Sequence, residues 1–332
     1  DLERRLRSQG VRRICAVLPE GAVGAAAMEN SGYTRREGLV YFEMLEHLGL
    51  DQANLLDELG GQLLPPGLFN EMAGMEQEKQ IIERRIVDPL AHPEIAERYG
   101  VQPPKAVILF GPPGTGKTSF AKAIASRLGW PFVELFPSRL AATSTGGLAA
   151  SLREAFAELA ELDELVLFID EVEEIATARS GATTAELGVT NELLKLIPTF
   201  RQKDSRLLVC ATNAVHSLDS AFLRPGRFDY VIPVGPPDQP ARRAVWQRYL
   251  GKACVHVDVD RLVGASEFFT PADIEFAARK GAQAAFEREM RDGRGEPATT
   301  ADYLNAIGEI RPTLTADMLA EFERGKAEFA RV

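Results

Sequence analysis

Apolar residues follow two alternating patterns along the chain. Short, nearly unbroken apolar runs occupy Ala106–Phe110, Phe132–Leu135, Leu165–Ile169 and residues 207–211. Such runs suit strands buried on both faces of a parallel sheet. Between them, apolar residues recur every three or four positions, as on one face of a helix. Phe120, Ile124 and Leu128 mark residues 118–128 as helical, and Leu148, Leu152, Ala155, Phe156 and Leu159 mark 148–162. A further helix is predicted at 185–196. Upstream, Ile81, Ile82, Ile86 and Leu90 give residues 80–90 a helical period that Pro89 limits, and Pro103-Pro104 forces an extended entry into the first strand. From Pro236 onward the pattern is helical alone. Ala241, Val245, Trp246, Tyr249 and Leu250 mark one helix. Thr270, Pro271 and Asp273 read as N-cap, N1 proline and first-turn acid of a helix reaching about Met290, and 299–307 and 315–330 come after it. The fold class predicted is α/β: a parallel sheet flanked by helices (69–236), then a small all-α domain (237–332).

The first 68 residues read differently. Residues 1–45 suggest a small α/β appendage of their own, with a basic helix around Leu2 and Leu6 and a strand at 11–18. A small-residue helix at 22–30 and a last apolar element at 39–45 complete it. Residues 46–68 read as a linker. Leu50, Leu55, Leu56 and Leu59 outline a short amphipathic helix, Gly60-Gly61 end it, and Pro65-Pro66-Gly67 stiffen the end of the linker.

The chemistry begins where the first buried strand ends. Gly111-Pro112-Pro113-Gly114-Thr115-Gly116-Lys117-Thr118 fits G-x-x-x-x-G-K-[ST] and lies between a strand and a helix, the context that this phosphate-binding loop requires. Its glycines let backbone N–H groups turn toward phosphates, and the helix N-terminus adds partial positive charge. Lys117 is placed to reach the β- and γ-phosphates and Thr118 to hold Mg²⁺, with Ser119 beside them on the first helical turn. The run Leu165–Ile169 ends in Asp170-Glu171, and acids at the C-terminal end of a sheet strand stand where such sheets place their ligands. Asp170 suits Mg²⁺ through its water shell, and Glu171 suits an attacking water. Asn213, after the strand at 207–211, offers an amide to the γ-phosphate or the water. Arg224 and Arg227 flank Pro225-Gly226, and a tight turn there presents two guanidinium groups suited to developing phosphoryl charge.

Composition narrows the partners. The chain has 332 residues, 45% hydrophobic and 26% charged, which is ample for a buried core. A net charge of −10 argues against a nucleic-acid or anionic-membrane surface. The basic cluster Arg4, Arg5, Arg7, Arg12 and Arg13 reads as a solvated face or a contact for an acidic partner. No run approaches the ~18 apolar residues of a membrane span. Three cysteines without metal-like spacing fit a reducing cytoplasm. The chain starts at Asp1 without a signal-peptide pattern, as a trimmed piece of something longer would.

Taken together, residues 69–332 resemble the AAA family of ATPases in the narrow sense. Phe69 to Gly74, Asp88-Pro89-Leu90 and His92-Pro93-Glu94 look like the family's entry segment. Residues 111–118 look like its Walker A and 165–171 like its Walker B. Asn213 falls at sensor 1, and Arg224 and Arg227 fall at the two arginine-finger positions. The resemblance implies ATP/ADP and Mg²⁺ as ligands and an active site shared between subunits of a ring, usually a hexamer. It also implies a protein substrate and nucleotide contacts from Ala73 and Gly74 and, in the lid, from Ala272. An arginine finger is worth about 10³–10⁵ in turnover. Through Gln9-Gly10-Val11-Arg12-Arg13-Ile14, then residues 25–33, then Tyr41-Phe42-Glu43, residues 1–45 resemble the second half of a GNAT acetyltransferase fold, whose glycine-rich loop for acetyl-CoA would lie before Leu2. One departure matters. Aligned back from Arg153 and Phe156, the pore-loop positions hold Ser144, Thr145 and Gly146, so the aromatic residue that grips a threaded polypeptide is missing. Besides a ring that remodels a protein, the sequence therefore leaves open a nucleotide-dependent assembly switch with slow hydrolysis, one that could regulate an acetyltransferase-like domain.

Overall fold

The computed structural model describes residues 50–143, 147–176, 184–224, 226–250, 256–293 and 295–332. The readings of residues 1–45 and of Ser144, Thr145 and Gly146 fall outside that set.

All five strands that these residues form run parallel. They are β1 (Ala106–Phe110), β2 (Phe132–Leu135), β3 (Leu165–Ile169), β4 (Arg206–Thr212) and β5 (Tyr230–Pro233), in the spatial order β2-β3-β4-β1-β5. Strands β1, β3 and β4 are buried at every position, which is why they read as unbroken apolar runs. Their side chains still alternate between two cores. In chain order the larger helices are α1 (Leu50–Glu58), α2 (Lys117–Leu128), α3 (Leu148–Leu159), α4 (Thr184–Phe200), α5 (Gln239–Leu250), α6 (Val259–Ala265), α7 (Pro271–Asp292), α8 (Thr300–Gly308) and α9 (Ala316–Phe329). Ala106, Ile108 and Phe110 face one core, with Leu152 and Phe156 of α3 and Leu193, Ile197 and Phe200 of α4. Val107 and Leu109 face the other, with Phe120 and Ile124 of α2 and with Ile82 and Ile86.

Prolines interrupt less than the sequence implies. The helical stretch beginning at Glu76 continues through Pro89 because the turn Glu83–Val87 is a π turn, in which the Asp88 N–H bonds the Glu83 carbonyl, five residues back. Helix α4 likewise runs past Pro198, carried by the burial of Ile197 and Phe200.

Helices α5 to α8 form a separate core around the fully buried Trp246 and Tyr303, whose rings meet edge to face at 6.2 Å. The Trp246 Nε1 donates to Ser266 Oγ at 3.0 Å. Helix α7 starts with a capping box between Thr270 and Asp273, and α8 with one between Thr299 and Asp302. The last helix, which the sequence grouped with these, packs elsewhere. Phe322 of α9 lies 5.9 Å from the Phe110 ring and belongs to the core under the sheet.

The segment read as a linker also joins the sheet. Leu56 of α1 is buried in the same core, and Gln62 exchanges two backbone hydrogen bonds with Phe132 on edge strand β2. At the opposite edge, Arg331 exchanges two with Val231 of β5. Single bridges from outside the sheet thus blunt both edges, which limits pairing with other chains.

Candidate nucleotide-binding site

The parallel register brings three strand ends together. Phe110 pairs with Thr212, and Ile169 pairs with Cys210, so β1, β4 and β3 stop side by side. Gly111, Asn213 and Asp170 are the residues next in the chain after them. The C-terminal edge of such a sheet is where ligands bind.

The loop from Gly111 to Lys117 is shaped by glycine. Gly114 and Gly116 have φ of 75° and 97°, in the left-handed region. A Cβ on Gly111 would lie 2.0 Å from the Val234 carbonyl oxygen, so the loop can approach β5 only without one. A Cβ on Gly116 would meet nothing within 4 Å, so the loop opens outward where α2 begins. Thr115 Oγ1 ties the loop to itself by donating to the Pro112 carbonyl at 3.0 Å. Pro113 is half-buried, and Ser119 is exposed on the first turn of α2. Gly116 is the N-cap of α2 and brings no side chain to the first-turn N–H groups, which leaves them to an anion.

Lys117 is only 6% exposed. Its Nζ donates to the carbonyls of Gly111 at 2.8 Å and Pro112 at 2.9 Å, and to Asn213 Oδ1 at 2.7 Å. Burial lowers its pKa to about 8, against the opposing charges of Asp170, Glu173 and Glu171. Thr118 Oγ1 donates to Asp170 Oδ2 at 3.1 Å. A hydroxyl beside a carboxylate at the mouth of a phosphate-shaped loop is a donor set that fits Mg²⁺, a hard cation that takes few protein ligands. Glu171 is exposed, with a left-handed φ of 50°, and its N–H donates to Asp170 Oδ1 at 2.9 Å. A carboxylate residue held in that strained region is a hallmark of functional sites. Its pKa is raised by burial and by Glu174, Asp170 and Glu173, with Lys117 opposing.

Glu173 was not legible as part of this group. Its Oε1 accepts the Asn213 N–H at 3.1 Å and so orients the residue whose side chain meets Lys117. The lid also reaches the loop. A Cβ on Gly114 would stand 3.1 Å from the Thr270 hydroxyl, at the N-terminus of α7. Asp273 of the same turn accepts from Thr313 Oγ1 at 2.7 Å. Ala272 is exposed on that turn. Ala73 packs against the lid core, and Gly74 presses on Ala241 so closely that a Cβ there would lie 2.5 Å from its Cα.

The two arginines stand apart from this cluster. Arg224 is exposed, and Arg227 Nη1 donates to the Ala221 carbonyl of its own loop at 2.7 Å.

Residues 107–236 match the profile of the ATPase family associated with various cellular activities (AAA). The chain carries an AAA ATPase domain. It is 32% identical over 280 residues to the Cell division cycle protein 48 homolog of Archaeoglobus fulgidus, covering 80% of this chain and 38% of that protein. It is 35% identical over 252 residues to the Proteasome-activating nucleotidase of Saccharolobus islandicus, covering 74% of this chain and 63% of that protein. The chain thus spans less than two thirds of either relative. The crystal structure of the FIGL-1 AAA domain in complex with ADP superposes with a TM-score of 0.70 at 23% identity, covering 87% of this chain and all of that one. That likeness extends the AAA fold through the helical domain after the sheet. No helix among the described residues is long and apolar enough to cross a membrane.

Proposed function

We propose that the AAA domain binds ATP with Mg²⁺ and hydrolyses it at a site completed by a second copy of the chain, in a ring, and that the cycle remodels a protein partner. The observation that carries this reading is the division of the charged groups. Lys117, Asn213, Thr118, Asp170 and Glu171 converge at one strand edge, whereas Arg227 is bonded to its own loop and Arg224 points to solvent. A phosphoryl transition state needs cationic stabilisation beyond one lysine, and two arginines on a separate turn suit a neighbour's nucleotide.

In this reading the glycine loop and the α2 N-terminus cradle the phosphates, with Gly111, Pro112, Pro113, Gly114, Thr115, Gly116 and Ser119 supplying its walls. Lys117 leaves the loop carbonyls for the phosphate oxygens. Thr118 and Asp170 would hold Mg²⁺, which would supply positive charge to the phosphates. Glu171 holds and deprotonates the attacking water. Asn213 fixes the water or the γ-phosphate. Ala73, Gly74 and Ala272 line the base and sugar side between sheet and lid. The name of one relative, a nucleotidase that activates the proteasome, supports a protein as the partner.

Glu171→Gln tests the assignment. It is expected to retain Mg²⁺-ATP binding and to lose hydrolysis by at least about 10²-fold, the range of a general base. Undiminished turnover in that variant would remove Glu171 from the site.

A further inference from the structure

We propose that Arg331 is a positioning residue for the neighbour's reaction: its guanidinium clamps the loop that presents Arg224 and Arg227. This rests on the shared-site reading above.

The loop from Leu223 to Asp229 is held from beneath by two guanidinium groups. Arg331 Nε donates to the Asp229 carbonyl at 3.1 Å, Nη1 to the Leu223 carbonyl at 3.1 Å, and Nη2 to the Phe228 carbonyl. These carbonyls lie on both sides of the two arginines, so one planar fork fixes both feet of the turn. Arg201 is the second anchor. It donates to the Arg227 carbonyl and forms a two-pronged pair with Asp229, at 2.8 and 3.0 Å. Asp229 Oδ2 in turn accepts the backbone N–H groups of Lys105 and Ala106, at 2.7 and 3.1 Å, which ties the loop to the start of β1. Phe222 and Phe228, both fully buried and 6.1 Å apart, close the base. What stands out from this base is exposed Arg224 and Gly226, with Arg227 beside them.

The bridge from Arg331 to β5 uses main-chain atoms, which any residue but proline provides. Sealing the sheet edge therefore does not require arginine. The side chain's three bonds all end on carbonyls of the finger-bearing loop, and that is the feature to be explained. A guanidinium offers five donors in a rigid plane, whereas a lysine is a point donor on a flexible stem. The arrangement makes the docking of α9 against the sheet a condition for presenting the fingers to the next subunit.

The test is Arg331→Met, which keeps the aliphatic stem, made in the full chain alongside Arg331→Lys and Arg227→Ala. Displacing a reacting group by about an ångström costs on the order of 10²-fold, so kcat per subunit should fall by about that factor in Arg331→Met while KM for ATP moves less than about threefold. The lysine variant should fall between. Mixing with Glu171→Gln subunits, whose fingers are intact, should raise turnover above that of either variant alone, because the Met variant's own site is whole. Parent-like kcat in Arg331→Met overturns the proposal. So does a deficit that Glu171→Gln subunits relieve in Arg227→Ala but not in Arg331→Met. If Arg227→Ala itself is not relieved, the shared-site reading fails, and the role of Arg331 falls with it. Should Arg331→Met not fold, the same complementation is read on Arg331→Lys, and parent-like kcat or no relief there overturns the proposal equally.

Discussion

The protonation of Lys117 gives the sharpest handle on the phosphate site. Buried against two loop carbonyls and Asn213, its ammonium titrates at about 8 in the ligand-free chain. A polyphosphate within hydrogen-bond reach favours the charged form and carries the pKa back upward. The nucleotide complex therefore holds more protons than the free chain at alkaline pH, and affinity must fall as pH rises through the free-chain pKa. With a pKa of about 8, the ammonium is about nine-tenths present at pH 7 and about one-tenth at pH 9, which is about a tenfold loss of affinity and an uptake of about 0.9 proton per nucleotide at pH 9. Mg²⁺-ADP avoids turnover, and titration calorimetry in two buffers of different ionisation heat reads both quantities. Lys117→Met should bind more weakly and without this pH dependence. A flat affinity between pH 7 and 9 with no proton uptake would show that Lys117 does not take up the phosphates from its buried perch.

Two further outcomes rest on the packing. Phe322→Ala removes the ring that α9 sets against Phe110, and because Phe322 is 9% exposed the loss should be near the lower end for such truncations, about 3 kcal/mol by urea unfolding. A loss below about 1 kcal/mol would mean that α9 is not anchored there. In the lid, hydrogen bonds from Arg288 hold Asp302 down to a pKa of about 2, with Thr299 also donating to it. Its folded pKa is depressed, so its contribution is complete above the ordinary carboxylate range and lost as pH falls toward 2. The stability gap between the parent and Asp302→Asn should therefore narrow between pH 6 and pH 3, and a constant gap would contradict the pairing.

What could be read from the sequence was what neighbours in sequence determine. The glycine loop, the strand before it and the helix after it are contiguous, so spacing alone fixed Lys117 and Thr118 in place. Asp170 and Asn213 could be placed at the sheet's ligand edge because buried strands are unbroken apolar runs, and the first one or two residues after each run stand there. Four acids within five residues, Asp170, Glu171, Glu173 and Glu174, hid the particular role of Glu173, since only the fold shows which carboxylate faces the Asn213 N–H. The linker reading of 46–68 missed its docking, because one backbone bridge to Phe132 leaves no periodic signature. Grouping α9 with the lid had the same cause. Its amphipathic face says that it packs but not on which core, and Phe322 chose the sheet. Arg331 lies more than a hundred residues from the loop it holds, and it had no local signal at all.

The central claim is that one subunit's nucleotide is served by another's arginines. It is tested most directly by ATP turnover per subunit against protein concentration, with Mg²⁺ present. The account predicts a specific rate that is very low in dilute protein, climbs steeply and then saturates as subunits assemble. A measurable rate that stays flat across concentration would mean that each subunit is self-sufficient, and the roles given to Arg224, Arg227 and Arg331 would have to be withdrawn.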